Sequence, residues 1–289
     1  MKISDVLSTS KPTLSFEVFP PKTSDRYETV SAAVEKIAAL KPSFMSVTYG
    51  AGGGTSLYTA DIAANIQNSF GVPSLAHLTC VSSDKATIRE KLDILHERHI
   101  ENIMALRGDL PEGFDPDQPR DYHYASELIH DIKAYDPSMC IGAACYPEGH
   151  VENEHKSDDL RYLKEKVDAG VDFLTTQMFF DNNILYNFLF RARDIGIHVP
   201  VLAGIMPITN KTQVARARSL SGTYVPTRFL SIVDRFGDDP KAMTQAGIAY
   251  ATEQIIDLLA NGVTHIHVYT MNKPSVAARI MDNLSEILK

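Results

Sequence analysis

The sequence has little cysteine and no long apolar run. Its three cysteines, Cys80, Cys140 and Cys145, are odd in number, form no CxxC pair and stand in or beside apolar, strand-like runs. This pattern predicts small buried side chains in a reducing compartment rather than disulfides or metal ligands. The first residues lack the apolar core of a secretory signal, and no apolar run approaches the ~20 residues of a membrane span. We therefore expect a cytoplasmic protein.

The sequence also lacks an excess of positive charge. It has 28 Lys and Arg residues against 36 Asp and Glu residues, a formal net charge of −8. Nucleic-acid-binding proteins typically present a basic face, so nucleic acid is not expected as the main partner. An anionic cofactor stays compatible with this composition, because local Lys and Arg side chains can bind phosphates in an acidic protein.

Two phosphate-binding signatures are missing as well. No GxGxxG motif follows the first predicted strand, and the glycine-rich loop at residues 50–56 is not followed by the GK[ST] of a P-loop. That loop leaves the second predicted strand and enters a helix. It is compatible with an anion site at the helix N-terminus and equally with a flexible turn.

Short apolar runs alternate regularly with amphipathic segments along the chain. Eight near-continuously apolar runs, typical of a parallel sheet buried on both faces, are predicted strands: residues 14–20, 44–50, 73–80, 102–109, 140–147, 173–180, 199–207 and 265–270. Apolar residues at helical spacing predict helices at residues 27–40, 85–99, 158–169 and 183–195. Gly170 and Gly196 fall where two of these helices would end.

Eight β–α units without a block of strands alone predict a closed (β/α)8 TIM barrel, a single catalytic domain over residues 1–289. An open, doubly wound sheet is the alternative, but it lacks the glycine motif named above. Extra helices are predicted between the seventh and eighth strands, at residues 212–220, 227–236 and 242–259. We expect this material to cap the barrel or to form contacts in a homo-oligomer.

Polar side chains stand at the C-terminal ends of nearly all predicted strands, where (β/α)8 enzymes carry their active sites. They are Glu17, Thr48, Tyr49, His77, Thr79, Arg107, Asp109, Tyr146, Gln177 and Tyr269. Glu17 stands between Phe16 and Val18, and a carboxylate in an apolar strand is costly unless it is paired or used. Glu17 is therefore a candidate functional acid, with a buried ion pair to Arg107 as the alternative.

Two further motifs leave more than one interpretation open. Arg107, Gly108 and Asp109 close the fourth strand, where the Arg fork and the small Gly suit a phosphate or carboxylate ligand, or where an Arg–Asp pair stiffens the turn. His265 and His267 face one side of the eighth strand, a pattern that barrel metal hydrolases also use. Core histidines are favoured over a metal site, because no further ligand stands at a matching strand end nearby.

Seven segments in order along the chain carry a resemblance to a known family. They are SFEVFPPK from Ser15, SVTYGAGG from Ser46, ALRGD from Ala105, YPEGH from Tyr146, DAGVDFLTTQMFFD from Asp168, GIMPITN from Gly204 and HVYTMN from His267. Together they resemble the methylenetetrahydrofolate reductases of the short bacterial type over essentially the whole chain. The resemblance implies FAD in the barrel mouth, NADH or NADPH as donor and methylenetetrahydrofolate as acceptor, in ping-pong turnover. The methyltetrahydrofolate product would feed methionine synthesis.

The resemblance also implies roles for single residues. Glu17 matches the acid that protonates a folate ring nitrogen and opens the five-membered ring to an iminium ion, and Asp109 matches the carboxylate between flavin and pterin. Gln177 matches the amide that holds the folate, and Tyr269 a residue near it. The implied cofactor contacts are Thr48, His77, Arg107, Gly108, Asp109, Tyr146, His150, Asp159 at a ribose and Lys166 at a phosphate. An apolar strand favours the protonated Glu17 that a general acid requires, and Asp109 can stabilise a cation beside it.

Three positions depart from the family pattern. Glu165 precedes Lys166 where relatives often carry a basic residue, Tyr162 stands at a family Asn, and Ala217 at a Phe that stacks on nicotinamide or pterin in some members. These departures concern the adenine end of FAD and the pyridine-nucleotide contact. Eukaryotic relatives carry a C-terminal regulatory domain that binds S-adenosylmethionine, a control expected to be absent here. The alternative functions are a metal-dependent barrel hydrolase and a non-catalytic folate- or nucleotide-binding barrel.

Overall fold

Eight parallel strands form a closed barrel in the computed structural model, which describes residues 1–21, 23–49, 56–110, 113, 115, 119–153 and 155–289. Each strand pairs with the next in sequence, and β8 pairs with β1. The strands are β1 Thr13–Val18, β2 Met45–Val47, β3 Ser74–Thr79, β4 Asn102–Leu106, β5 Cys140–Cys145, β6 Phe173–Thr176, β7 Val201–Ile205 and β8 His265–Tyr269. The predicted (β/α)8 barrel is confirmed, and the open-sheet alternative is wrong.

Helices surround this barrel. They are α1 Ile3–Leu7, α2 Tyr27–Ala38, α3 Ser56–Phe70, α4 Lys85–Glu97, α5 Ala125–Tyr135, α6 Lys156–Asp168, α7 Asn182–Asp194, α8 Thr212–Ser221, α9 Thr227–Phe236, α10 Pro240–Ala260 and α11 Pro274–Leu284, with a 3-10 turn at Ser24–Arg26. Local signals set several ends: Asp84 accepts from Thr87 N at the start of α4, and Gly170 with φ +115° follows α6. None of the described helices has both the length and the apolar character to cross a membrane. The glycine-rich loop lies, except for Ser56, outside the described residues.

The two faces of β1 have different surroundings. Leu14, Phe16 and Val18 belong to the main core formed with the outer helices. Because successive side chains of a strand alternate, Ser15 and Glu17 face the barrel interior. In the paired register, Ser15 lies opposite His267 of β8 and Glu17 opposite Tyr269. The barrel interior is therefore polar on the side of β8 and β1.

The short helix α1, which was not predicted from the sequence, closes the N-terminal end of the barrel. Ile3 and Leu7 are buried in a cluster with inward side chains of the strands, namely Phe44, Leu75, Met104, Cys140, Phe173 and Leu202. The Ile3 backbone N–H donates to Asn102 Oδ1 at 2.8 Å. This apolar plug leaves the C-terminal mouth as the open end of the barrel.

The helices α8, α9 and α10 lie between β7 and β8 and share a separate apolar cluster. Phe229 of α9 packs between Phe180 and Tyr250, with ring centroids 5.5 Å and 4.3 Å away. The cluster also includes Ala217 of α8. This packing holds α8 at the edge of the barrel mouth.

Candidate active site

A cavity of about 1900 Å³ opens at the C-terminal mouth of the barrel. All the residues that the family resemblance singled out line it: Glu17, Thr48, His77, Arg107, Gly108, Asp109, Tyr146, His150, Asp159, Lys166, Gln177 and Tyr269. Most come from strand ends and from the loops that follow, as expected for a (β/α)8 enzyme, and Asp159 and Lys166 come from α6. The fold thus brings together residues that are far apart in sequence. Their individual roles stay predictions.

Glu17 lies at the base of this cavity with 20% of its side chain exposed. Its Oε2 atom is 3.6 Å from His77 Nε2, 3.9 Å from His267 Nε2 and 3.5 Å from Ser46 Oγ. The predicted alternative, a buried ion pair with Arg107, is not formed, since Arg107 pairs with Glu152. The carboxyl group therefore faces two imidazoles and a hydroxyl rather than a permanent cation.

His77 is buried beside Glu17, and burial lowers the pKa of its imidazole to about 4. His77 is therefore neutral at physiological pH, so it does not supply a positive charge to the site. Within the described residues, neither His77 Nε2 nor the buried Tyr49 hydroxyl has a hydrogen-bond partner. Both residues line the cavity, so a ligand with polar atoms would satisfy them.

Tyr269 of β8 is paired in register with Glu17 of β1, and both side chains line the cavity. Its hydroxyl donates to Thr176 O at 2.6 Å, and burial, followed by the charge of Glu17, raises its pKa well above the ordinary value of 10. A Cβ at Gly204 would lie 2.3 Å from Thr176 O and 2.5 Å from the Tyr269 hydroxyl. The absence of a side chain at Gly204 thus makes room for this cross-barrel bond.

Arg107 leaves the end of β4 and binds the loop after β5. Its Nη1 and Nη2 atoms donate to Glu152 at 2.6 Å and 2.8 Å, and its Nε donates to Gly108 O. The bond to Glu152 raises the pKa of Arg107, and Arg107 lowers the pKa of Glu152. Gly108 has φ +91°, a backbone region that favours glycine, and a Cβ there would lie 3.1 Å from the side chains of Thr79 and Val81. The Arg–Asp pair offered as an alternative is replaced by the pair with Glu152.

Asp159 and Lys166 project from α6 and bind the chain itself. The Asp159 carboxylate accepts from His150 N at 2.5 Å and from the side-chain amide of Asn153. Lys166 Nζ donates to Ala144 O at 2.6 Å, and burial lowers its pKa. These bonds fix the loop that carries His150 against α6 and hold the Lys166 ammonium group at the cavity wall.

Asp109 and Gln177 lie on different parts of the cavity. Asp109 is exposed. The Gln177 amide oxygen accepts from Met178 N at 2.9 Å, so its NH₂ group is the part that a ligand would use.

The three departures from the family pattern also line the cavity. Glu165 lies 3.9 Å from Arg161, and the Arg161 guanidinium lies over the Tyr162 ring at 4.7 Å from its centroid. Ala217 is 2% exposed, within the apolar cluster around Phe229. The residues at the site that were not predicted from the sequence include Glu152, Gln213 and Lys273, which line the cavity, and Ser46 beneath it.

The two histidines of the HxH motif have separate partners. His265 Nδ1 lies 3.0 Å from Oγ1 of Thr13, the first residue of β1, whereas His267 contacts Ser15 and Ser46. In the described part of the chain no group of three or more His, Cys, Asp or Glu side chains is arranged to hold a metal ion. The three cysteines are free and buried as predicted.

Comparison with known proteins agrees with this arrangement. The family model described as methylenetetrahydrofolate reductase matches residues 2–285. The chain belongs to this family. It is 35% identical over 272 residues to a 5,10-methylenetetrahydrofolate reductase of Pectobacterium carotovorum, covering 94% of this chain and 89% of that protein. The corresponding Escherichia coli protein is 33% identical over 271 residues, covering 94% and 90%.

Longer relatives match in the same way. "Methylenetetrahydrofolate reductase (NADH) 1" of Arabidopsis thaliana is 35% identical over 298 residues, which are 99% of this chain and 50% of that protein. The chain thus spans about half the length of the plant relatives that it matches. The structure of a Clostridium thermocellum protein, described as binding two copies of 5-methyl-5,6,7,8-tetrahydrofolic acid, has a TM-score of 0.67 at 12% identity and covers 99% of this chain and 100% of its own. That likeness shows the shared fold.

Proposed function

We propose that this barrel reduces 5,10-methylenetetrahydrofolate to 5-methyltetrahydrofolate with NADH or NADPH as donor, through FAD and in ping-pong turnover. The observation that carries the proposal is the partly buried Glu17 carboxyl at the base of a large cavity, in a chain of the methylenetetrahydrofolate reductase family. The methyl group so formed would supply methionine synthesis. The homo-oligomer expected from the extra helices stays a prediction, which sedimentation would check.

The described residues fit a flavin. His77 Nε2 and the Tyr49 hydroxyl are buried polar atoms without partners in the described part of the chain, and both residues face the cavity. Arg107, which also pairs with Glu152, and Lys166 would supply positive charge for phosphates, and Gly108 would permit a close approach of the ligand to the backbone. FAD would be held by these residues with Thr48, Asp109, Tyr146, His150 and Asp159. When bound, it supplies hydride transfer between the two substrates, while the protein provides placement and electrostatics.

Side chains of the protein itself would activate the folate. Glu17 would donate its proton to the ring nitrogen that leaves the methylene carbon, since a neutral amine departs more readily than an anion. Asp109 would stabilise the cationic iminium that results, and the Gln177 amide would orient the pterin. Tyr269, held by Thr176 O, would form the wall beside the reacting atoms. The methyltetrahydrofolate that the Clostridium protein is described as binding is in keeping with a folate ligand on a barrel of the same fold.

A spectrum followed by two additions tests the proposal. The purified protein should show flavin absorption, and NADH or NADPH without oxygen should bleach it. Methylenetetrahydrofolate should then restore the absorption, with one equivalent of methyltetrahydrofolate found by chromatography. A flavin that stays reduced after the folate is added would overturn the proposed reaction. Bound zinc in a colourless, flavin-free protein would support the hydrolase alternative instead.

A further inference from the structure

Helix α8 borders the cavity at the mouth of the barrel. Five of its residues line the cavity, and their spacing places them on one face of the helix: Thr212, Gln213, Arg216, Ala217 and Leu220. The residues proposed to hold FAD come instead from the ends of β2 to β5, from the loops that follow these strands and from α6. The position of α8 therefore shapes the side of the cavity that is left for the two substrates.

The N-terminal end of α8 is fixed to the loops that follow β7 and β8. The Gln213 amide oxygen accepts from Thr209 N at 2.8 Å and from Asn210 N at 3.2 Å. Lys273 Nζ donates to Thr209 Oγ1 at 2.6 Å. In the same half of the helix, Val214 is buried in the apolar cluster of α8, α9 and α10. These contacts hold the first turns of α8 in place.

The C-terminal end of α8 is attached through a carboxylate of the loop after β5. Just past the end of the helix, Thr223 Oγ1 donates to Glu148 Oε1 at 2.5 Å, and Tyr224 N donates to Glu148 Oε2 at 2.9 Å. Thr223 is 3% exposed, so water hardly competes for its hydroxyl. Leu220, in the last turn of α8, is 60% exposed and adds little apolar packing. The two bonds to Glu148 therefore anchor this end of the helix.

Glu148 belongs to the YPEGH motif and stands between two residues that face the cavity. Tyr146 and His150 are among the described residues that line the cavity, whereas Glu148 is not and binds the end of α8 instead. The loop is also fixed independently of Glu148, because Asp159 of α6 accepts from His150 N at 2.5 Å. Loss of the Glu148 bonds should therefore leave the flavin side of the cavity in place.

The same anchor reaches the strand end that carries Gln177. Thr223 Oγ1 lies 3.5 Å from Met178 O, and Met178 N donates to the Gln177 amide oxygen at 2.9 Å. The Glu148 carboxylate thus lies where the loop after β5, the end of β6 and the end of α8 meet.

We propose that Glu148 is a positioning residue: it ties the end of α8 to the loop that carries cofactor contacts, so that α8 presents a formed wall to the substrates that bind against the flavin. The inference rests on the proposed function. Glu148 acts through Thr223 and Tyr224 and does not itself touch a substrate. Without its two bonds α8 would adopt other positions, and only the molecules with α8 in place would bind substrate tightly.

Glu148→Ala in the FAD-loaded protein removes both acceptors. The half-saturating concentrations of the nicotinamide donor and of methylenetetrahydrofolate should each rise about tenfold, because apparent affinity falls with the fraction of molecules in the binding form. The limiting rates of flavin reduction and reoxidation should stay within about twofold of the wild type, since a loss of uniform binding raises KM alone. The affinity of the apoprotein for FAD, measured by fluorescence titration, should not change.

Graded variants and a matched control accompany this change. Thr223→Val removes one of the two bonds and keeps the side-chain shape, and Glu148→Gln keeps one acceptor oxygen. Each should raise the half-saturating concentrations by a smaller factor, about threefold. Asp257→Ala is the control: Asp257 accepts from Asn182 Nδ2 at 2.6 Å and from the Tyr186 hydroxyl at 2.8 Å, which ties α7 to α10 away from the cavity. Its half-saturating concentrations should match those of the wild type.

Hydrogen exchange gives a readout that does not depend on turnover. In Glu148→Ala the amides at the C-terminal end of α8 and at residues 223–224 should exchange about tenfold faster, as local opening would produce, while those of α10 keep their wild-type rates. Thr223→Val serves for the same comparison if Glu148→Ala does not fold.

Unchanged half-saturating concentrations in Glu148→Ala would overturn the inference. A rise of the same size in Asp257→Ala would indicate general loosening, and a fall in FAD affinity alone would confine Glu148 to the cofactor loop; either result would also overturn it. Unaltered exchange at the end of α8 would contradict the anchor. Failure of the folate to reoxidise the wild-type flavin would instead contradict the proposed function, and hydrogen exchange would still test the anchor.

Discussion

Arg107 and Glu152 form a bidentate ion pair at the cavity wall, with Nη1 2.6 Å from Oε2 and Nη2 2.8 Å from Oε1. The Arg107 side chain is 25% exposed and that of Glu152 45% exposed. The planar guanidinium fork that suits a flavin or phosphate group is therefore already bound to a carboxylate of the same chain. A cofactor that uses Arg107 must share this fork with Glu152 or displace it.

Glu152→Gln should strengthen FAD binding severalfold, most clearly at low salt, because it removes the competing negative charge and leaves Arg107 in place. Fluorescence titration of the apoprotein with FAD measures the effect. Glu253→Gln is the matched control, since both carboxylate oxygens of Glu253 accept from Arg228 Nη2 in an ion pair that does not line the cavity. Weaker FAD affinity in Glu152→Gln would show that the pair helps to build the cofactor site, and unchanged affinity would show that Glu152 does not compete with FAD for Arg107.

Gly204→Ala should destabilise the barrel more than Gly142→Ala. The new Cβ at Gly204 would lie 2.3 Å from a backbone oxygen, Thr176 O, whereas at Gly142 it would meet the Phe173 ring at 2.6 Å. A side chain can move away but a strand carbonyl cannot, so we expect a loss of about 1–3 kcal/mol at Gly204 and less at Gly142. Urea unfolding measures both. Equal losses would show that the Tyr269–Thr176 bond has room to shift.

Acid should weaken the fold partly through His77. Its pKa is lowered from 6.5 to about 4 by burial, so the unfolded chain binds more protons between these values and stability falls as pH drops through that window. The difference of about 2.5 pH units corresponds to roughly 3 kcal/mol. His77→Gln should lose this part of the pH dependence between pH 6.5 and 4, as followed by urea unfolding at fixed FAD concentration. His123→Gln, which changes an exposed histidine, should keep this part of the pH dependence. If the free energy of unfolding falls with pH equally steeply in both variants, the prediction is wrong.

Asp109→Asn should slow the folate half-reaction by roughly 10²-fold, because an electrostatic group placed for the transition state typically contributes that much. Flavin reduction by NADH in the same variant is the internal control and should change far less. Stopped-flow absorbance reports both steps. Wild-type folate turnover in Asp109→Asn would remove this residue from the mechanism.

The barrel could be predicted from the sequence because both faces of its strands are buried, which makes each strand a continuous apolar run. The predicted fourth strand, residues 102–109, is too long at its C-terminal end, since β4 ends at Leu106. The chain turns there at Gly108, whose positive φ no apolar pattern reports. Helix α1 was missed because five residues are too few to show helical periodicity.

The cavity-lining residues could be predicted because polar side chains are conspicuous at the ends of apolar strands. Glu152 could not, since its partner Arg107 lies 45 residues away and the pairing depends on how the loop after β5 folds. Ser15 and Ser46 carried a weak signal. Ser15 stands two residues before Glu17, on the same strand face, but a serine in a strand is too common to indicate a role by itself.

The half-reactions of Glu17→Gln test the central claim most directly. Glutamine keeps the size of the side chain and a hydrogen-bond donor but cannot release a proton. Because hydride transfer from NADH to flavin needs no acid, we predict that anaerobic stopped-flow absorbance will show bleaching near the wild-type rate. Methylenetetrahydrofolate should then reoxidise the flavin at least 10²-fold more slowly than in the wild type, roughly the lower range of a general acid's contribution. Slow bleaching followed by normal reoxidation would contradict the account and assign the acid role to another residue.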